Sequence, residues 1–190
     1  MLISRNTYKS LFLIALAQCS AWSSAQSKTS FGSANATQCF IASGNPSSLL
    51  DARVCTNAIR HDNLSKRDLA ATHTNRGIIL AAGGELHQAL EDHNQAAQLK
   101  KDLSKIYINR GTVFHRLKEY EKALLDYQKA LDLGGVPKDI VEYNRALSLL
   151  KIRKTKEALK ALERALGYNP GSLRVKAKIK AISSPRNIQK

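Results

Sequence analysis

A chain of 190 residues has room for one ordinary domain rather than two. An apolar content of 43% and a mean hydropathy of -0.31 exclude a disordered chain and a multiply membrane-spanning one. The 30 Lys and Arg outnumber 15 Asp and Glu, and the resulting +15 disfavours cationic substrates and favours anionic partners. Low aromatic content, 6%, with only 4 Pro and 10 Gly, argues against a loop-rich β-sandwich.

Arg5 and Lys9 precede the apolar run 11–17, after which small polar residues begin. A basic start, a short apolar stretch and the small-residue site Ser23-Ser24-Ala25 read as a secretory leader over residues 1–25. The run is far shorter than the roughly 20 residues of a spanning helix. A weaker reading takes Leu16-Ala17-Gln18-Cys19 as a lipidation site, with Gln18 where a small residue is wanted, and a third takes the segment as a buried helix. The expectation is an exported chain, periplasmic or secreted.

Without the leader, Cys39 and Cys55 are the only pair. In an oxidising compartment they read as one structural disulfide, closing a loop of a length worth ~3 kcal/mol in the chain-entropy model. In a reduced protein they would be two buried thiols. His61 stands alone beside them, so zinc spacing is absent. After Pro46, residues 47–60 carry Leu50, Val54, Ala58 and Ile59 on one helical stripe. Residues 32–60, within a linker and cap over 26–69, are expected to form a degenerate helical cap.

From residue 70 onward an internal repeat organises the chain. Gly77, Ala89 and Ala96 recur as Gly111, Ala123 and Ala130, and again as Ala146, Ala158 and Ala165. Corresponding positions lie 34 apart (77 to 111), then 35 apart (111 to 146), the extra residue fitting the loop Gly134-Gly135-Val136-Pro137. Asn75-Arg76, Asn109-Arg110 and Asn144-Arg145 precede the first small residue of each unit; Leu80, Phe114 and Leu149 come after it, and Leu90, Leu124 and Leu159 fall in the second half. Spacings of 3, 4 and 7 put these residues on single faces of two helices per unit. The breaks Ala82-Gly83-Gly84, Leu117-Lys118 and Lys154-Thr155 read as hairpin turns. Because such a unit cannot bury its own apolar face, neighbours must stack.

These columns resemble the tetratricopeptide repeat family, with Pro170 near the family's terminal proline and Gly135 and Lys101 departing from its pattern. Cys39 and Cys55 in a helical cap look like those of exported bacterial members of the family. The resemblance implies an all-α, right-handed solenoid of antiparallel helix pairs, with repeats over 70–103, 104–137 and 139–172 and capping helices at both ends. The last cap, 173–182, alternates Leu173, Val175, Ala177, Ile179 and Ala181 with Arg174, Lys176, Lys178 and Lys180, a strand period. Stacking on the last repeat is expected to override it in favour of helix.

Catalytic signatures are missing: no Gly-rich loop leads to Lys-Ser/Thr, and no His-Glu-x-x-His or Gly-x-Ser-x-Gly occurs. The expectation is no enzyme, no cofactor and no metal. His87, Glu91 and His93 fall on one helix, but His93 occupies the column of Tyr127 and Leu162 and reads as a packed core residue. The column Arg76, Arg110 and Arg145 reads as structural contacts within or between units.

Binding is what this architecture offers. By the resemblance, Asn75, Asn109 and Asn144 point into a concave groove and hydrogen-bond an extended peptide, since an amide both donates and accepts; capping or bridging helices is the alternative. The same face should carry Thr74, Ile78, Lys105, Ile108, Thr112, Ile140, Tyr143 and Leu147. Family members that hold chaperone tails clamp a carboxylate with several basic residues, and Tyr143 and Leu147 stand at matching places here, so the full clamp is missing. Residues 137–190 hold 14 basic and 4 acidic residues, against 14 and 11 in 26–136. Arg174, Lys176, Lys178 and Lys180 could therefore associate with an anionic polymer or membrane surface, or form a solvated cap. Nucleic acid is disfavoured for want of aromatic stacking residues or a recognised module. The expected function is a non-catalytic scaffold for a protein or peptide in the bacterial envelope, with surface association by the basic terminus as the second reading.

Overall fold

The computed structural model describes residues 33–46 and 51–184. The leader read over 1–25, with Cys19, lies outside them, as do residues 47–50 of the expected cap helix. Among the described residues the chain is an all-α helical repeat of nine helices: α1 (Ala34–Gly44), α2 (Asp51–His61), α3 (Lys66–Ala82), α4 (Leu86–Leu99), α5 (Ser104–Arg116), α6 (Tyr120–Leu133), α7 (Lys138–Lys151), α8 (Thr155–Tyr168) and α9 (Leu173–Ser183). Each helix packs on its neighbours in the chain. The repeats are the pairs α3/α4, α5/α6 and α7/α8. The first starts at Lys66, ahead of the boundary at 70, because Ser65 caps it: its Oγ accepts from the Asp68 amide at 3.1 Å and donates to the Asp68 carboxylate at 2.6 Å.

Small residues sit where two helices cross. A Cβ added to Gly77 would stand 2.7 Å from the His93 ring, and one added to Gly111 would stand 2.8 Å from the Tyr127 ring. The third repeat solves the same contact with Ala146 against Leu162, both fully buried. Ring and glycine, or leucine and alanine, fill one volume in two ways.

The hairpin turns repeat a single backbone device. Gly84 (φ 92), Lys118 (φ 64) and Arg153 (φ 62) hold the left-handed position after α3, α5 and α7. The following amide then reaches back five residues, from Glu85 to Leu80, Glu119 to Phe114 and Lys154 to Leu149, each at 2.9 Å. The third turn is therefore centred on Arg153, and Thr155 already belongs to α8.

The cap is a hairpin of α1 and α2 in which Cys39 and Cys55 are bonded, with Cα atoms 4.7 Å apart and both side chains buried beside Ile79 and Val113. Asn35 Nδ2 donates to Asp62 at 3.0 Å, and the Ser33 hydroxyl donates to the same carboxylate. At the other end α9 is helical over the stretch that alternates like a strand. Val175, Ile179 and Ile182, one helical stripe, pack into the cluster of the third repeat, while Leu173, Ala177 and Ala181 are exposed.

Candidate functional site

A buried ion pair ties the two helices of each of the first two repeats. Arg76 forks onto Asp92 (Nε–Oδ2 2.8 Å, Nη2–Oδ1 2.7 Å), and its Nη1 reaches Thr56 of the preceding hairpin at 3.0 Å. Arg110 forks onto Asp126 at 2.8 Å twice and reaches Asn94 of the preceding repeat at 3.0 Å. Arg76 and Arg110 thus bond both within and between units. Burial pushes the Asp92 carboxyl up, but hydrogen bonds from Arg76 and His73 outweigh it and hold the group below its ordinary range. In the third repeat Ala161 stands in the aspartate column. The acid there is Glu142 on α7, forked by Arg164 of α8 at 2.6 and 2.9 Å, and Arg145 lies 3.8 Å away. This swap was not visible in the columns, because the acid changed helix.

His93 is 1% exposed, and neither ring nitrogen has a partner among the described residues. Burial pushes its pKa down to about 4, so the ring is neutral and packs as an apolar slab on Gly77. Among the described residues no group of His, Cys, Asp and Glu could hold a metal ion. Burial likewise drives the Tyr127 hydroxyl up to about 12.

An open groove of about 360 Å³ lies between α1, α3 and α5. Asn75 and Thr74 of α3 line it with Lys105 of α5, and so do Arg67, Leu103 and Phe40. Phe40, 68% exposed, is supplied by the cap helix, next to the bonded Cys39. Its position carried no periodic signal; adjacency to an anchored cysteine was the one available clue. Asn75, Asn109 and Asn144 are all half-buried, and none of their side-chain amides is engaged in a hydrogen bond among the described residues. Capping or bridging therefore does not occupy them.

The remaining expected groove residues divide. Ile78, Ile108 and Thr112 are half-buried on the same helices; Ile108 packs against the second repeat's core, and the Thr112 hydroxyl donates to the Ile108 carbonyl at 2.9 Å. Ile140 is exposed. Tyr143 and Leu147 do not join the open trough: Tyr143 is 9% exposed, both belong to the third repeat's core cluster, and the Arg174 guanidinium lies 4.1 Å from the Tyr143 ring centroid. The cause is α9, which covers this end. The basic run splits as well. Arg174 and Lys178 share one side of α9, Lys176 and Lys180 another, because residues two apart on a helix diverge by about 200°.

Tetratricopeptide-repeat family models match residues 104–133 and 143–172. Similar solved structures include the Arabidopsis OM64 TPR domain (19% identity, TM-score 0.59, covering 63% of this chain and 98% of that one). The first TPR domain of Spaghetti (RPAP3), bound to the HSP90 peptide SRMEEVD, aligns at 20% identity and TM-score 0.58, over 62% of this chain and 92% of that one. YrrB, described as a TPR protein with an unusual peptide-binding site, aligns at 27% identity and TM-score 0.58, over 67% of this chain and 63% of that one. Among curated proteins none matches.

Proposed function

The chain is a tetratricopeptide-repeat protein, and from that premise we propose that it is a non-catalytic scaffold holding an extended peptide segment in the groove between α1, α3 and α5. The observation that carries this reading is the row of Asn75, Asn109 and Asn144, half-buried at one column of three stacked repeats with unengaged amides. An amide that neither caps nor bridges its own fold is available to a peptide backbone, reading it without its side chains. Phe40 and Leu103 add apolar surface at the N-terminal end, where Arg67 and Lys105 with Asp68 and Asp102 bring charges of both signs. RPAP3 and YrrB, described with peptides or a peptide-binding site, support the reading. A free carboxylate tail is not the favoured occupant, since Tyr143 and Leu147 replace the basic clamp, Tyr143 in the core and Leu147 packed against it.

The proposed setting is the bacterial envelope, supported by the leader pattern over 1–25 and by the Cys39–Cys55 pair. The groove is favoured over Arg174, Lys176, Lys178 and Lys180 as the functional surface because those four side chains diverge around α9.

Capture from envelope extract tests the groove. Asn75→Ala with Phe40→Ala, two residues that line the groove, should abolish capture of the partner that the intact chain retains, with helicity unchanged by circular dichroism. Tyr143→Ala is unsuited to this purpose, because it opens the core. A partner retained in full by the double variant would overturn the reading.

A further inference from the structure

Three columns of the repeat change sign in its last copy. Glu85 and Glu119 stand immediately before α4 and α6, and Lys154 stands before α8. Glu121 in the first turn of α6 becomes Lys156, and Glu91 of α4 becomes Lys160. The exposed Lys151 and Arg153 of the α7–α8 turn add to them. Lys180 is exposed near the end of α9, whose Ile179 and Ile182 pack on the same core cluster as Ile152 of that turn. A shallow cleft of about 380 Å³ runs between Arg153, Lys154, Thr155, Lys156 and Glu157.

Folding does not ask for these lysines. The start of a helix favours acids, and Glu85 and Glu119 precede α4 and α6 where Lys154 precedes α8; α8 keeps Glu157 in its first turn, but Lys156 with Lys160 places like charges one turn apart. The acid within reach is Glu157, 3.7 Å from Lys154 in an exposed pair. Lysines that outnumber the one acid paired with them at this helix start are placed for an anion from outside.

The shape of the patch says which kind. Its cations are spread over α7, the α7–α8 turn, α8 and α9 rather than gathered on one helix, an arrangement that a flexible chain can follow from element to element. Among the described residues the exposed aromatics Phe40 and Tyr168 lie in α1 and at the far end of α8, away from this turn, so none of them stands ready to stack a base there. We infer that this end of the solenoid docks a flexible linear polyanion with closely spaced phosphates, held by Lys151, Arg153, Lys154, Lys156, Lys160 and Lys180. This site is separate from the groove and stands whether or not the groove binds peptide.

Titration of the full chain with inorganic polyphosphate, across a salt series, tests it. Lys154→Glu/Lys156→Glu/Lys160→Glu restores the acids of the earlier repeats. It should weaken binding by at least ~10-fold and lower the slope of log K against log salt by about 2, at ~0.7 per lost phosphate contact. The matching Gln triple variant, which adds no repulsion, should lie between the two. Lys100→Glu/Lys101→Glu at the opposite edge should bind as the unaltered chain does. Unchanged affinity in both triple variants would overturn the inference. So would capture by phosphatidylglycerol vesicles that polyphosphate does not compete away, which would make the surface a membrane contact.

Discussion

The second and third repeats build one architecture from different residues. In the second, Gly111 yields to the Tyr127 ring and Arg110 on the first helix forks onto Asp126 on the second. In the third, Ala146 meets Leu162, and the fork runs the other way, from Arg164 on the second helix to Glu142 on the first. What the fold conserves is a filled volume at the crossing and one buried charge pair across it, with neither tied to a particular residue. Stability should therefore respond to the pair rather than to the residue.

The sharpest break is Asp126→Ala, which strands Arg110 without its partner and should cost about 3 kcal/mol in urea unfolding. Glu142→Ala should cost less, because the Arg164 side chain is 43% exposed and returns to water. Equal losses would mean that burial of the arginine does not set the penalty. Next is Gly111→Ala, whose Cβ would lie 2.8 Å from the Tyr127 ring and 3.3 Å from the Ala123 carbonyl. It should cost ~1–3 kcal/mol by overpacking. Adding Tyr127→Leu copies the third repeat's pairing and should recover part of the loss; a double-mutant cycle with coupling under ~0.5 kcal/mol would break the idea of a shared volume.

His93 and Leu162 occupy one column but differ in charge potential. The folded chain keeps His93 neutral down to about 4, while the unfolded imidazole takes its proton near 6.5. The contribution is complete above 6.5 and is lost as pH falls toward 4, at up to ~1.4 kcal/mol per pH unit. His93→Leu should flatten that part of the stability profile; an unchanged slope between about pH 6.5 and 4.5 would show that the ring is protonated in the fold. The smallest effect is at the turns. Lys118→Gly and Arg153→Gly each remove a side chain from the left-handed region occupied by Gly84, and each should raise stability by about 1 kcal/mol in thermal melts.

The columns of small residues were legible in the sequence because a helix crossing tolerates nothing else, and three copies 34 and 35 apart repeat the constraint. Their turns were legible through Gly83-Gly84, less so at Arg153, where a long side chain adopts a backbone usually left to glycine. The third repeat's ion pair was hidden, since Glu142 stands where the earlier repeats have His73 and Tyr107. In α9 the alternation of lysine with apolar residues masked the stripe Val175, Ile179, Ile182, which appears only against a packed neighbour. Of the residues lining the groove, Asn75, Thr74 and Lys105 were among those expected on that face. Phe40 could not be read ahead, because α1 has no counterpart in register, and Tyr143 was misplaced, because its exposure depends on where α9 lies.

The bonded Cys39–Cys55 hairpin gives the solenoid a direction in time. A stack whose units touch only their neighbours opens from its ends. At one end the first two helices are covalently latched and share a buried cluster with Ile79 and Val113. At the other, α9 is held without a covalent bond, by the fully buried Val175 and the partly buried Ile179 and Ile182. Thermal fraying should start there and travel toward the N-terminus. Backbone amides would then exchange first in α9, next in α8, and last beside the latch, so that the helix end carrying Phe40 stays formed after the basic end has opened.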